Sequence, residues 1–435
     1  MKALRSLLIA SLLAVATTAS AQGSPFKFEF HGFVVGSMYM QDQAFLLAQG
    51  NGLLTAAPTP SNHLPRPGNT TDKSGTFFGA DVRQSRFIFA MSGPEVFGGA
   101  TPKAYFEGDF FGASNPGALG YESASPRLRQ AYAELKWGNT TFDVGQHSAQ
   151  LLLAQIPATL AHITNPIPYG AGLIGWRTIG VRAIHLMPMD GWKLELGAEI
   201  SHGKWADATA TGAAYPGNTP DTISLAWASS TPQLVGRVKA EGKSGGLGWM
   251  GWVAGSYESI NLKGFGNSVA PNGINLQDGT NKTSLTSYSA TVGGRIDFLP
   301  LTLMLQGYTG RGTGPLAGTT VQFGDIGDMG YWGQLGFFAT KEFSLWALYG
   351  ASSADKKDLQ NWLNRGGTRL TEANTSIRKD NQVVGGMVKY QDGGYALGLE
   401  YYAFSTKYLL GNLANDDGTK GTSAYQIIAS GAYFF

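Results

Sequence analysis

The chain has 435 residues, 14% of them charged, with 32 Lys and Arg against 30 Asp and Glu and no cysteine. Without cysteine there is no disulfide framework, thiolate metal site or cysteine nucleophile, and the near-neutral balance argues against a nucleic-acid partner, which needs a basic face. Sixty-one glycines beside 10 Trp, 18 Tyr and 23 Phe suit short strands, tight turns and aromatic rims better than a soluble core.

In chain order, residues 1–21 read as a secretory signal peptide: Lys2 and Arg5, an apolar run from Leu7 to Val15, then Ala19-Ser20-Ala21. The remainder, 22–435, is predicted as one domain; without Lys2 and Arg5 its charges balance, so any charge preference must come from local placement. No later apolar run approaches the roughly 20 residues of a membrane helix. Alternating stretches recur instead, at Lys27–Gln41, Thr76–Met91, Pro102–Gly112, Arg127–Gly138, Thr140–Gln146, Ile174–Leu186, Trp192–Lys204 and Pro232–Glu241. They continue at Gly248–Ile260, Thr286–Leu299, Leu301–Gly310, Tyr331–Thr340, Phe343–Ser352, Asn381–Tyr390, Tyr395–Thr406 and Thr422–Phe435.

Short connections such as Gly138-Asn139, Pro300 and Lys341-Glu342 take turns with long polar ones such as Asp42–Gly75 and Asn261–Leu285. About sixteen strands in this rhythm predict an all-β fold, a transmembrane antiparallel β-barrel with turns at one rim and loops at the other. A soluble β-sandwich with long loops is the competing architecture. The rhythm opposes it, as does a last strand, Thr422–Phe435, that finishes in aromatics on the final residue.

Strand parity separates inside from outside. Trp192, Leu194, Leu196, Ala198 and Ile200 alternate with Lys193, Glu195, Glu199 and Ser201, and similar alternation runs through Thr286–Leu299 and Leu301–Gly310. A charge at the lipid-facing midplane costs roughly 2–4 kcal/mol, so the polar parity is assigned to the lumen. One connection departs from the polar pattern. Ser148–Leu173 contains Leu151-Leu152-Leu153, Ile156, Leu160 and Ile163, an unstable surface if left in water. It is predicted to fold inward as a constriction, with a subunit contact or surface loop as the alternative.

By parity Arg86, Arg182, Arg237, Lys239 and Arg295 face the lumen, where guanidinium forks bind carboxylate or phosphate and repel cations. These are the candidate solute-binding residues, with Glu107 and Asp109 as pore-lining partners. The bland reading is that the cations pair with Glu107, Asp109, Glu195 and Glu199 across the lumen. Arg83, Arg127 and Arg129 fall on the outward parity, where they would snorkel, cross a subunit contact or reach the pore through a bulge.

The stretches Asp81-Val82-Arg83-Gln84-Ser85-Arg86-Phe87, Tyr105-Phe106-Glu107-Gly108-Asp109-Phe110-Phe111-Gly112 and Arg127-Leu128-Arg129-Gln130-Ala131-Tyr132, with Gly145-Gln146, resemble a known family. They are similar to the anion-selective trimeric porins of the phosphate-porin superfamily, particularly the branch that admits dicarboxylates. The motif match covers roughly Asp81 to Gln146, and no coiled-coil segment of the kind some members carry precedes the first strand. The resemblance implies a sixteen-stranded homotrimer in the bacterial outer membrane with an arginine-lined eyelet. It also implies passive diffusion of small hydrophilic solutes, biased toward anions such as phosphate or dicarboxylates. The position of Ser148–Leu173 matches the loop that narrows the pore in general porins.

The rival reading is a non-conducting barrel acting as a hydrolase or adhesin. The six histidines show no metal-ligand spacing, and Asp143 with His147 on one strand face is a pairing that arises by chance. Gly310 to Pro315 lacks the Lys-Ser/Thr of a phosphate loop, and Asn415-Asp416-Asp417-Gly418 reads as a turn more readily than as a calcium loop. No catalytic residue, metal ligand or cofactor is predicted.

Overall fold

The computed structural model describes residues 25–42, 76–112, 124–147, 151–203, 231–261, 284–318, 326–364, 376–410 and 419–435. Its strands are β1 (Lys27–Gln41), β2 (Phe77–Asp81), β3 (Arg86–Ser92), β4 (Thr101–Asp109), β5 (Arg127–Trp137), β6 (Thr140–His147), β7 (Thr178–Pro188), β8 (Trp192–Ser201) and β9 (Gln233–Ser244). Then follow β10 (Leu247–Asn261), β11 (Ser284–Phe298), β12 (Leu301–Arg311), β13 (Gly327–Phe338), β14 (Phe343–Ala354), β15 (Ser376–Asp392), β16 (Tyr395–Leu410) and β17 (Thr419–Phe434).

From β3 onward each strand pairs antiparallel with the next, and β17 returns to β1 in a register running from Phe33↔Phe434 to Gln41↔Gln426. The second stave is interrupted. β3 lies against Lys27–Phe33 of β1, and β2 lies further along against Ser37–Gln41, bonded among the described strands to β1 alone. The result is a closed sixteen-stranded ring plus the short extra segment β2. Closure gives the backbone polar groups partners without water, the condition a lipid-embedded sheet must meet.

The break corrects the single strand expected over Thr76–Met91. Asp81 accepts the Arg83 backbone N–H at 2.8 Å and holds the same residue's guanidinium at 2.7 and 2.9 Å, turning the chain out of the ladder. Val82 is left facing outward while Arg83, Gln84 and Ser85 are all buried. A regular strand does not place three consecutive side chains on its inner side.

The outer face is apolar along its length. Val181, Val253, Val292, Leu305, Val384 and Leu399 are exposed along the strands, and exposed aromatics gather at the rims, among them Phe28, Phe30, Phe89, Tyr395, Tyr433 and Phe435 at the short-turn end. That belt with its girdles is the surface of a membrane-spanning barrel.

The inner face, to which the polar parity was assigned, differs between its two halves. On β3–β9 it is ionic. On β10–β17 it carries Trp252, Met304, Tyr308, Trp332, Leu348, Tyr402 and Phe404, all buried. These side chains pack against the loop between β6 and β7, forming clusters that include Leu151, Leu152, Leu160, Ile167, Leu173 and Ile174. A second segment supports it: the 3-10 turn Gly314–Leu316 folds inward and accepts the Gly170 and Gly175 N–H groups at Ala317 and Leu316. Above it, helix α1 (Lys356–Asn364) buries Leu359 against Ile326, Ala354 and Leu409, and its Asp358 holds Arg311 at 2.7 Å.

Candidate functional site: the constriction

Residues 151–177 cross the lumen as an apolar strap tied at several points to the wall. At its start Glu199 accepts the Leu151 N–H, and Arg237 donates to the Leu151 and Leu153 carbonyls. Midway, Gln334 exchanges two hydrogen bonds with the backbone of Ala158 at 2.7 and 2.9 Å. Glu400 then accepts four, from the Thr159 hydroxyl, the Leu160 and Ala161 N–H groups and the Tyr402 hydroxyl, each at 2.7 Å. Beyond β17 and β1, next to β3, Gln84 donates to the Ala161 carbonyl and accepts the Thr164 N–H. Ser352 and Asn381 both donate to Gly170. Gly172, at φ 112°, passes so close to the wall that an added Cβ would stand 2.2 Å from the Tyr331 carbonyl oxygen, which only glycine permits. The structure therefore folds this loop inward, and its described extent runs past Leu173 to Arg177.

The strap packs mainly on the apolar half, and a cluster of charged, mostly buried side chains lies on β3–β5. There Arg86 reaches Glu107 at 3.2 Å, Arg129 bridges Glu107 at 2.6 Å and Asp109 at 2.9 Å, and Arg127 forks onto Asp109 at 2.7 and 2.9 Å. The Phe111 ring lies between the guanidiniums of Arg83 and Arg127, 4.4 and 5.3 Å from its centroid. Towards the short-turn mouth Tyr105 and Tyr132 stack at 5.0 Å.

Arg129 enters the pore because the β4–β5 register shifts between Glu107 and Gly108. That bulge gives β5 an extra residue, so Arg127, Arg129 and Gln130 all reach the acidic pair while Leu128 stays outside. Of the outcomes open to Arg83, Arg127 and Arg129 on their outward parity, entry into the pore is the one found, through a bulge for the last two. An Asx-type turn reverses the first.

The predicted solute-binding residues do not converge. Arg86, Glu107 and Asp109 lie in the cluster just described. Arg182 pairs with Glu199 at 3.0 Å, and Arg237 and Lys239 share Glu195, around the ring on β7–β9. Because Glu199 and Arg237 also bind the strap, this group anchors the loop. Arg295 bonds Asp297 on its own strand, four residues from the turn at Leu299-Pro300. Arg86, Arg182 and Arg237 lie seven or eight residues from their turns, about 10 Å further along the strands. Arg295 therefore belongs to the mouth, not the constriction.

Sequence reasoning missed Arg177, which had been placed inside a strand beginning at Ile174. The glycines at 170, 172 and 175, all with positive φ, are the signal that the loop continues. Burial and then the nearby Arg127 and Arg129 lower the Arg177 pKa to about 10, with Asp109 opposing. His162, fully buried with its ring 5.6 Å from that of Tyr402, is lowered by burial to about 3 and stays neutral. Asp143 and His147 approach to 2.5 Å beneath Tyr132. Ser148 and Asn415-Asp416-Asp417-Gly418 lie outside the described residues. Among the described residues, no three His, Asp or Glu side chains are grouped as a metal would need.

A closed sixteen-stranded antiparallel ring, apolar outside and crossed inside by a loop, is a barrel of the bacterial outer membrane with the porin architecture. No protein-family model and no curated protein matches the sequence. Among solved structures, the outer-membrane channel DcaP of Acinetobacter baumannii superposes with a TM-score of 0.61 at 15% identity, over 95% of this chain and 98% of that one. OprB of Pseudomonas putida matches with a TM-score of 0.54 at 9% identity, over 94% of each chain. The anion-selective porin from Comamonas acidovorans gives 0.53 at 12% identity, over 94% of this chain and all of its own. At these identities the likeness establishes the fold.

Proposed function

We propose that the barrel is a passive diffusion channel for small hydrophilic solutes, biased toward anions. The observation that carries this reading is the charge gathered on the β3–β5 wall and the end of the strap. Four guanidiniums, of Arg86, Arg127, Arg129 and Arg177, stand near two carboxylates, Glu107 and Asp109. The strap opposite, 151–177, contains no Asp or Glu to balance them. In a narrow space beside low-dielectric walls, such a local excess sets a field that the balanced net charge of the chain conceals.

Phosphate or dicarboxylates are the solute class this field suits. Export by the segment 1–21 and assembly as a homotrimer complete the reading, the latter resting on the sequence resemblance. Planar-bilayer recordings under a KCl gradient test it. Stepwise conductance with a reversal potential on the anion side supports it. A silent purified barrel favours the hydrolase or adhesin alternative, and a cation-side potential removes the anion bias. A monomeric mass in mild detergent would overturn the trimer.

A further inference from the structure

Most guanidiniums of the lumen wall are already committed. Asp81 holds Arg83, Glu107 and Asp109 hold Arg86, Arg127 and Arg129, Glu199 holds Arg182, and Glu195 holds Arg237. Each therefore has a carboxylate contact, although Arg86 Nε and Nη2 find no hydrogen-bond partner among the described residues, and Arg86, Arg127 and Arg129 are three guanidiniums sharing two carboxylates. Arg177 differs. It stands just before β7 with no carboxylate partner among the described residues, its guanidinium 5.1 Å from the Trp176 ring. Trp176 in turn packs edge-on against buried Tyr169 at 5.5 Å. A cation held by aromatic packing keeps its donors free and gives up little rotamer freedom when it binds.

We propose that Arg177 is the specificity-determining cation of this pore, the group that captures the passing solute through a carboxylate or phosphate oxyanion, with Arg127 and Arg129 supplying the field behind it. This rests on the anion-channel reading above. The local charge points the same way: the three guanidiniums of Arg86, Arg127 and Arg129 share only two carboxylates, an excess that attracts an anion, while burial and then Arg127 and Arg129 lower the Arg177 pKa. Even so lowered, to about 10, the group is charged at neutral pH. An arriving oxyanion meets an unoccupied guanidinium fork, suited to bidentate hydrogen bonding.

The test uses the full-length barrel in planar bilayers. Arg177→Gln should move the reversal potential toward cations, Arg177→Lys should restore most of the difference, and Lys341→Gln, in the exposed β13–β14 turn, should leave it unchanged. Added succinate and inorganic phosphate should each reduce chloride current through the wild type, and the Arg177→Gln channel should need at least about tenfold more of either for the same block. Block by only one of them identifies the source of the oxyanion. Block by neither overturns the oxyanion assignment. A normally conducting Arg177→Gln channel with wild-type reversal potential and block overturns the proposal while an anion-selective wild type leaves the channel reading standing. A silent or cation-selective wild type defeats that reading first.

Discussion

Glu400 is the point at which the strap is most exposed to a single substitution. Its carboxylate is fully buried and accepts four hydrogen bonds, three of them from the strap at Thr159, Leu160 and Ala161. A hydrogen bond to a charged group contributes roughly 1.5–3 kcal/mol, but the carboxylate gives up several kcal/mol of hydration to reach its site. Removing one partner of such a buried network costs about 3–5 kcal/mol, because Glu400→Ala leaves two N–H groups and two hydroxyls without their acceptor. At 1.4 kcal/mol per decade, the detached state of this segment should become about a hundred to a few thousand times more populated. The opening stays local. Gln334 still holds Ala158, and Gln84 still holds Ala161 and Thr164. Single-channel recording should show larger, noisier openings for Glu400→Ala and a smaller change for Glu400→Gln, which keeps one acceptor oxygen. Conductance and open-channel noise equal to wild type, in a barrel that folds normally, would refute the view that Glu400 pins the constriction.

Two further outcomes follow from the geometry. His162 titrates near 6.5 when unfolded but near 3 in place, so the unfolded chain binds the extra proton first. Its contribution to stability is intact above pH 6.5 and is lost progressively as pH falls toward 3. The melting temperature of His162→Gln should therefore decline less than wild type between pH 7 and pH 4, and parallel declines would refute the assignment. Phe435 exchanges two backbone hydrogen bonds with Gly32, each 3.0 Å, and its ring lies 5.4 Å from Phe30. Deleting it should cost roughly 2–4 kcal/mol of ring closure. The yield of folded barrel in lipid vesicles should fall, and an unchanged yield would count against this closure.

The fold was readable because a membrane barrel writes its two solvents into alternate residues. The parity that put Leu194, Leu196 and Ile200 outside and Glu195 and Glu199 inside depends only on the period of two, and these side chains sit accordingly. The same rule fails wherever the ladder is interrupted. One side chain at Asp81 captures its neighbour's N–H and turns Arg83 inward, and one extra residue in β5 does the same for Arg129. Neither event changes composition or periodicity over a window long enough to notice, yet together they determine which arginines enter the pore.

The apolar half of the lumen was hidden for a related reason. Alternation assigns a residue to a face without saying what covers that face. Trp332, Tyr402 and Phe404 have the parity of Gln334 and Glu400 and so belong inside, where an open channel would wet them. They stay dry because the strap's own apolar residues lie on them, and the strap stays there because Gln334 and Glu400 satisfy its backbone. Wall and loop are each unfavourable alone and compatible only together. The loop's apolar sequence was therefore half of a signal whose other half was scattered over eight strands. Seating the loop on those strands leaves the ionic wall of β3–β9 as the lumen's other face. In the channel reading proposed above, selectivity turns on the charges that this wall and the end of the loop leave unneutralised.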